Sequence, residues 1–493
     1  MAVARDDGVV VVGAGPTGLV LAAELALAGV RCVVLDRRDG PRSDSRAICL
    51  HARSMELLDL RGQAGVFAAA GLPVPSFPLG PKGAAIRFGV LDSDFGYLLD
   101  IPQSQIERLL AARAIELGAE IRWSSRVTGI EQDQGGVRVT VADGAVERGA
   151  YAVACDGVRS FVREAIGMPF PGFPNPGSVI LADLHLDGLP MTSAYGDLSR
   201  GGMLLMFPFR DGSCRVVLYD YARADVPVSE PVTIDDVRAG LLRITGEDFG
   251  PRNMGWSARY RSESRQAPGY RNGRILLAGD AAHAHSPAGA QGLNTGLQDA
   301  MNLGWKLGAT ASGWAPDWLL DSYHDERHPV GRAVLALTGR QFRLNTARTA
   351  ARRTLRWAVH RLVVPLPPVQ ARLARDYSGV SIGYPQAGHP AHSMAGKRLP
   401  PGLVSRSGGS AARLYELFHD GRFVLLEPSA TATARELPDH VTVVSYERCD
   451  PAELPAALLV RPDGYVAWAS DERDQAARAA AVRAAAAAWC GPN

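Results

Sequence analysis

The feature that most constrains this chain is Gly13-Ala14-Gly15-Pro16-Thr17-Gly18, set between four valines and an apolar helical run. Valines 9–12 leave no polar face, as in a strand buried on both sides of a parallel sheet. Residues 17–28 read as a helix ended by Gly29, and 31–35 as a second buried strand with Asp36 at its tip. Each glycine has its own task in such a unit. Gly13 permits the tight turn, Gly15 lets backbone approach a pyrophosphate, and Gly18 lets helix and strand pack closely. Pro16 and Thr17 open the helix, whose unpaired N–H groups favour an anion. Asp36 follows about 20 residues on, where an acid accepts hydrogen bonds from a ribose and disfavours a 2′-phosphate. The ligand of this cradle is therefore FAD or NAD rather than NADP.

At 493 residues the chain exceeds one ordinary core and predicts two or three domains. Lys+Arg (53) nearly cancels Asp+Glu (51), so no nucleic-acid partner is expected. Cys32, Cys49, Cys155, Cys214, Cys449 and Cys490 form no CxxC pair, which argues against a disulfide framework or a zinc cluster. With no leader-like start and no long apolar run, a cytoplasmic protein without a membrane partner is expected.

Residues 53–60 and 105–117 read as helices, and 71–98 as irregular chain with short strands. Runs at 120–125, 127–133, 137–142 and 151–154 read as strands. Residues 178–184, 203–208 and 214–221 alternate like strands around a helical run at 233–244, which predicts an antiparallel α+β unit. Residues 274–278 return to a buried strand, followed by helices at 297–311 and 321–341. Residues 343–375 are helical and carry Arg343, Arg348, Arg352, Arg353, Arg356 and Arg361, read as a solvated face, with Pro365, Pro367 and Pro368 breaking the run. Strands at 423–426, 441–445, 458–461 and 465–468, a hairpin turn at Arg461-Pro462-Asp463-Gly464 and a terminal helix at 475–489 complete the chain.

Three further segments carry chemistry. Gly279-Asp280 ends a strand, where a carboxylate can bind a ribitol or ribose hydroxyl. Ser286-Pro287-Ala288-Gly289-Ala290-Gln291-Gly292-Leu293-Asn294 is a glycine-rich loop opening a helix. It lets a flat ring lie against backbone, with N–H groups facing developing negative charge. Asp156-Gly157, with Arg159 and Ser160, offers either a capped turn or a phosphate or ribose contact. His283 and His285 lack a third metal ligand at sensible spacing and are expected to pack or hydrogen-bond near the strand end.

Taken in order, these segments resemble the class A FAD-dependent aromatic hydroxylases of the para-hydroxybenzoate hydroxylase type. Ser45-Arg46-Ala47, the helix start His51-Ala52-Arg53-Ser54-Met55-Glu56, Pro102-Gln103-Ser104, and the run from Gln291 to Lys306 narrow the likeness to the branch acting on anthracycline- and angucycline-type aromatic polyketides. The C-terminal Arg461–Trp468 segment resembles that branch's thioredoxin-like domain, here without CxxC. The resemblance implies a Rossmann-like α/β FAD domain of the GR2 type, an antiparallel-sheet substrate domain, and a thioredoxin-like domain. The corresponding divisions are 1–175, 176–268, 269–392 (second part of the FAD domain with a helical linker) and 393–493.

It also implies roles. Gly13, Gly15, Pro16, Thr17 and Gly18 would hold the pyrophosphate, Asp36 and Arg37 the adenosine ribose side, and Gln103 a further part of FAD. Asp156 and Arg159 would serve FAD and NADPH, and Gly279 and Asp280 the ribityl–pyrophosphate region. Pro287, Gly289, Gly292, Leu293 and Asn294 would border the isoalloxazine. Arg46 would sit near the ring and meet the nicotinamide cofactor; with Pro287, Gly289 and Asn294 it forms the expected catalytic set, and no metal is expected. FAD would be held non-covalently, NADPH would visit as transient reductant, and O2 would oxygenate a polycyclic phenol through a C4a-hydroperoxyflavin. The phenolic tyrosine of simple phenol hydroxylases has no clear counterpart. Tyr219 and Tyr221 lie on a substrate-domain strand but read as ordinary packing. Baeyer–Villiger insertion, oxidation of an ansamycin-type antibiotic, a flavin oxidase and a non-enzymatic flavoprotein are the alternatives. A monomer or homodimer is expected.

Overall fold

Val9–Val12 pairs in parallel with Cys32–Leu35 on one side and Tyr151–Ala154 on the other. In this computed structural model, which describes residues 8–42, 47–188, 193–346, 349–384, 392–405, 411–429, 437–450 and 454–491, the sheet continues outward in both directions. Glu120–Arg122 extends one side, and Ile275–Leu277 with the antiparallel Arg271–Asn272 extends the other. All four valines are buried, as a strand covered on both faces requires. Helix Pro16–Leu27 packs against both Gln103–Glu116 and Gln291–Ala311. Because the strands run the same way, the turns after residues 12, 35, 154 and 277 leave from one edge of the sheet.

One helix starts earlier than its periodicity indicated. It spans Gln291–Ala311 rather than 297–311, so Gly292, Leu293 and Asn294 belong to its first turn and not to the loop. Glycine at 289 and 292 reads locally as a breaker. Tertiary hydrogen bonds of Asn294 override that preference, as shown below.

A second sheet runs in the order Tyr195–Leu198, Gly202–Pro208, Cys214–Asp220, Val179–His185, Arg252–Tyr260, all antiparallel. Alternation gives it two apolar faces. Ile180, Ala182, Leu204, Met206, Val216 and Leu218 pack under helix Ile234–Thr245, which starts in a Thr233–Asp236 capping box and ends at left-handed Gly246. Val179, Leu181, Met203, Leu205, Phe207 and Tyr219 face the other way and join the main core.

The arginine-rich stretch divides into the end of Ser322–Asn345, then Ala350–Ala358 with a π-helical turn Val359–Val363, then Pro367–Ser378. Pro367 does not merely break the run; it opens the last helix. Arg343, Arg352 and Arg361 are exposed, as a solvated face requires, whereas Arg356 is buried and donates to Asn345 O at 2.8 Å. Arg348 lies outside the described residues.

Near the C-terminus, strands run Val441–Tyr446, Phe423–Pro428, Ala457–Val460, Val466–Ser470; the first pair is parallel and the others antiparallel. Helix Gln475–Cys490 packs on them. The Arg461–Gly464 hairpin turn, ordinarily a surface feature, is buried against the first sheet's helices. Arg461 donates to Glu326 at 2.7 and 2.9 Å and to Asp463 at 2.6 Å; Lys306 Nζ reaches Glu326 at 2.8 Å, and Asn302 Nδ2 at 2.6 Å. Arg53 donates to Asp463 O and Arg61 to Pro462 O, so the backbone of the turn is gripped too. Burial would raise the Glu326 carboxyl, but the charges of Arg461 and Lys306 bring it down to about 2. All six cysteines are free thiols. Among the described residues no helix is long and apolar enough to cross a membrane.

Candidate active site

The three glycines of the first turn are demanded by different neighbours. A Cβ on Gly13 (φ +107°) would stand 2.4 Å from Cys155 O, and one on Gly18 would stand 2.0 Å from Gly13 O. These two are fixed by the protein itself. Gly15 has an ordinary extended backbone (φ −80°), and a Cβ there would meet nothing within 4 Å. Its missing side chain leaves a hollow at the helix start, where a pyrophosphate needs close backbone approach. Thr17 locks the next loop in place: a Cβ on Gly279 or Gly296 would come 2.6 or 2.3 Å from its Oγ1. Residues 13–18, 155–156, 279–280 and 291–296 thus interlock around one helix N-terminus.

Asp36 accepts the Ala14 N–H at 2.6 Å, and Arg38 binds it through Nε (3.0 Å) and Nη2 (2.9 Å). Burial pushes this carboxyl up, but the hydrogen bonds and charge of Arg38 outweigh it and hold the group below its ordinary range. Arg38 also reaches Glu107 at 2.9 Å and Ala14 O at 2.8 Å. Gln103 donates to Glu107 at 2.8 Å and accepts from Ala47 N at 3.0 Å. Arg37, the neighbour singled out in the sequence, is exposed. Arg38 and Glu107 were missed there. Two positional signals point to them: Arg38 lies two residues after Asp36, and Glu107 one helical turn after Gln103.

Asp156 accepts from Val162 N at 3.2 Å, and burial raises its carboxyl above the ordinary range despite a hydrogen bond from Ser160. Arg159 is exposed; Arg163 is the arginine that crosses to the neighbouring loop, donating to Ala281 O at 2.9 Å. Asp280 is exposed at the groove's rim, beside Gly292, whose Cβ would lie 3.9 Å from Asp280 Oδ1. Beneath it, Asp299 accepts from Gly279 N (3.1 Å) and Arg327 Nε (2.7 Å) and bonds His283 Nε2 at 2.6 Å. His285 stacks on His283. At the strand end His283 hydrogen-bonds and His285 packs on it, and no group of His, Cys, Asp and Glu among the described residues is arranged to hold a metal.

Asn294 is a clamp rather than a group aimed at a reacting ring. Its Oδ1 accepts from His51 N (2.8 Å) and Ser54 Oγ (2.7 Å), and its Nδ2 donates to Cys49 O (3.1 Å) and Ala290 O (2.9 Å). That uses its whole amide, so its part is to hold the loop. His51 Nε2–H donates to Gly289 O at 3.0 Å, and burial lowers its imidazole to about 4, keeping it neutral. These bonds hold Ala290 in a left-handed conformation (φ +51°) before the helix. Pro287 is half-buried, and Ala290 N bonds back to its carbonyl at 3.0 Å. Ser45 and Arg46 lie outside the described residues.

From this loop an aromatic path leads to the second sheet. Gly289 abuts the Tyr377 ring, which a Cβ would approach to 2.9 Å. Tyr377 lies 6.2 Å from Phe77, and Phe77 lies 5.7 Å from Phe207 on strand Gly202–Pro208. Tyr219 and Tyr221 donate to Pro176 O (3.0 Å) and Asn345 O (2.9 Å). Both hydroxyls thus serve the packing role expected of them.

Residues 6–338 match the family model described as FAD binding domain, and 392–493 that described as aromatic-ring hydroxylase, C-terminal. A rifampicin monooxygenase of Streptomyces venezuelae is 40% identical over 95% of this chain and 96% of its own. A dialkyldecalin synthase of Streptomyces rugosporus is 37% identical over 99% of both. The solved structure of the anhydrotetracycline hydroxylase from Streptomyces rimosus matches with TM-score 0.82 and 38% identity, over 98% of this chain and 99% of that one. The groove, the loop and these matches agree: the chain belongs to the class A FAD-dependent aromatic-ring hydroxylases and is a flavin monooxygenase whose cofactor is FAD.

Proposed function

We propose that this enzyme uses NADPH and O2 to hydroxylate a polycyclic phenolic substrate of the aromatic-polyketide kind. The observation that carries the reading is the continuous aromatic path Gly289–Tyr377–Phe77–Phe207, joining the glycine-rich loop to the second sheet. Flat fused rings make ring-edge contacts of the same kind with aromatic side chains.

Bound here, FAD supplies hydride acceptance from NADPH and activation of dioxygen. The protein's part is binding, orientation and exclusion of water. Gly13, Gly15, Pro16, Thr17 and Gly18 would hold the pyrophosphate, Asp36 the adenosine ribose, and Gly279 and Asp280 the ribityl side. Arg38 and Glu107 keep Asp36 and Gln103 oriented. Pro287, Gly289, Gly292 and Leu293 would border the flat ring, with Asn294 and His51 holding that loop. In this reading no tyrosine is needed to deprotonate the phenol, since the substrate's own hydroxyl makes its ring nucleophilic. Arg46 would meet the nicotinamide; Arg46→Ala should keep bound FAD while slowing reduction by NADPH, and loss of FAD instead would refute that role.

In the same reading the C-terminal unit is thioredoxin-like and acts in packing. The protein works in the cytoplasm as a monomer or homodimer on a freely diffusing small molecule. The direct test is a screen of polycyclic phenols for stimulated NADPH oxidation, with products read by mass. One added oxygen on an intact ring system is the expected result, whereas a lactone would place Baeyer–Villiger insertion first. Oxidation of an ansamycin-type antibiotic is the variant favoured by the rifampicin monooxygenase likeness. The synthase likeness supports a second reading, in which the chain forms a decalin ring rather than adding oxygen. That reading requires a ring-closed product with no NADPH consumed.

A further inference from the structure

Within twelve residues of the arginine-rich stretch, Leu355, Trp357, Leu362, Val363 and Leu366 are all between 42 and 61% exposed. Single exposed apolar side chains are ordinary, but a group of them marks a contact surface. Leu355, Leu362 and Leu366 recur seven and four positions apart, so they share one side of the helical run. Arg356, His360 and Val364, spaced by four, are buried and form the inward side. A merely solvated face would carry polar residues between its charges. This one carries leucines.

The charge around the leucines has one sign. Residues 340–376 hold nine arginines and one acid, Asp376. Among the described residues, the exposed Arg343, Arg352, Arg361 and Arg375 make no ion pair, and Arg372 approaches Asp376 only to 3.7 Å. The inward side is riveted to the body. Arg356 holds Asn345 O at 2.8 Å, and Gln370 Nε2 donates to Ala85 O at 3.0 Å while its Oε1 accepts from Arg87 N at 3.0 Å. Strand Ala85–Arg87 pairs with Ser76–Pro78, which carries Phe77, and helix Pro367–Ser378 carries Tyr377. The exposed leucines therefore stand on the outer side of the platform that bears the aromatic path.

A second copy related by a two-fold axis would set this arginine-rich face against itself, like charge on like. A surface that offers phosphates to the arginines and an apolar layer just beneath them satisfies both kinds of side chain. We propose that this face docks reversibly on an anionic lipid surface. Leu355, Leu362 and Leu366 enter the boundary between headgroups and acyl chains, while Arg352 and Arg361, on either side of them, pair with lipid phosphates. The contact lies in the plane of the surface and needs no spanning helix. It replaces the sequence expectation of a chain without a membrane partner.

The test uses the FAD-loaded full chain and two vesicle preparations, phosphatidylcholine alone and phosphatidylcholine mixed equally with phosphatidylglycerol. Bound enzyme is read by sedimentation from the flavin absorbance. The mixed vesicles should bind it and the neutral ones should bind it little, with a steep fall on adding salt. Arg352→Gln and Arg361→Gln should each weaken binding about fivefold. Leu355→Ser with Leu362→Ser should weaken it about tenfold or more. These side chains are exposed, so flavin content and melting temperature should stay at their wild-type values, which separates lost docking from lost fold. Equal binding to both vesicles, binding to neither, or binding unchanged in either the arginine or the leucine variants overturns the inference. Binding to neither, together with a dimer that Leu362→Glu dissociates, would assign the face to a second copy instead. None of these outcomes bears on the substrate class proposed above, which the screen of polycyclic phenols tests separately.

Discussion

The cofactor groove and the clasp around Arg461–Gly464 are built from the same helix, Gln291–Ala311, by opposite rules. At the helix start, side chains are removed: Gly292 lies beside Asp280, exposed at the rim, and Gly15, before the adjoining helix Pro16–Leu27, faces open space. Farther along the helix, Asn302 and Lys306 are sealed, and the charges near them are matched by neighbours. One end keeps backbone groups available to a ligand; the other pairs its buried charges internally and joins two parts of the chain. Glycine and charge thus mean different things according to whether the protein closes on itself there.

The largest expected effect is at the clasp. Glu326→Gln leaves Lys306 buried without its anion and Arg461 with Asp463 alone, and should cost about 3–5 kcal/mol of stability by urea unfolding. FAD affinity of the folded fraction should be unchanged, and a loss of affinity would break the separation between the two ends. Acid attacks the same carboxylate. Its folded value is lowered from 4.5 to about 2, so its contribution is present above pH 4.5 and is lost as pH falls toward 2. By linkage this amounts to about 3 kcal/mol in total. Melting curves between pH 7 and pH 3 should show the loss, and it should vanish in Glu326→Gln.

At the groove the order of effects reverses. Gly15→Val should fold with the wild-type melting temperature when measured without added FAD, yet bind FAD about 100-fold more weakly, near 3 kcal/mol. Gly18→Ala, whose Cβ meets Gly13 O, should lose fold and flavin together; if the two variants behave alike, Gly15 is structural after all. The smallest effect belongs to Asp36→Asn. Removing the charge from a ribose acceptor should weaken FAD binding about tenfold, or ~1.5 kcal/mol. Flavin fluorescence titration measures both affinities.

Local chemistry made the groove readable before any coordinates. A valine run, three spaced glycines and a following acid determine a strand, a turn and a helix start, because each requirement is met within a few residues. The same holds for the strand ends at Cys155-Asp156 and Gly279-Asp280 and for the alternating faces of the second sheet. Placement beyond that depended on partners distant in sequence. Arg38 rather than Arg37 reaches Asp36 because Glu107 and the Ala14 carbonyl complete its fork. The helix at Gln291 begins through its glycines because Asn294 is tied to residues some 240 positions away, at His51 and Ser54. A hairpin turn that reads as solvent-exposed becomes a buried, charged junction because Glu326 and Lys306 meet it there. Sequence alone determined which backbone could cradle a dinucleotide, since steric and dipolar rules act locally. Tertiary structure decided which side chains are left for chemistry, since a polar group's role depends on whether distant partners have already satisfied it.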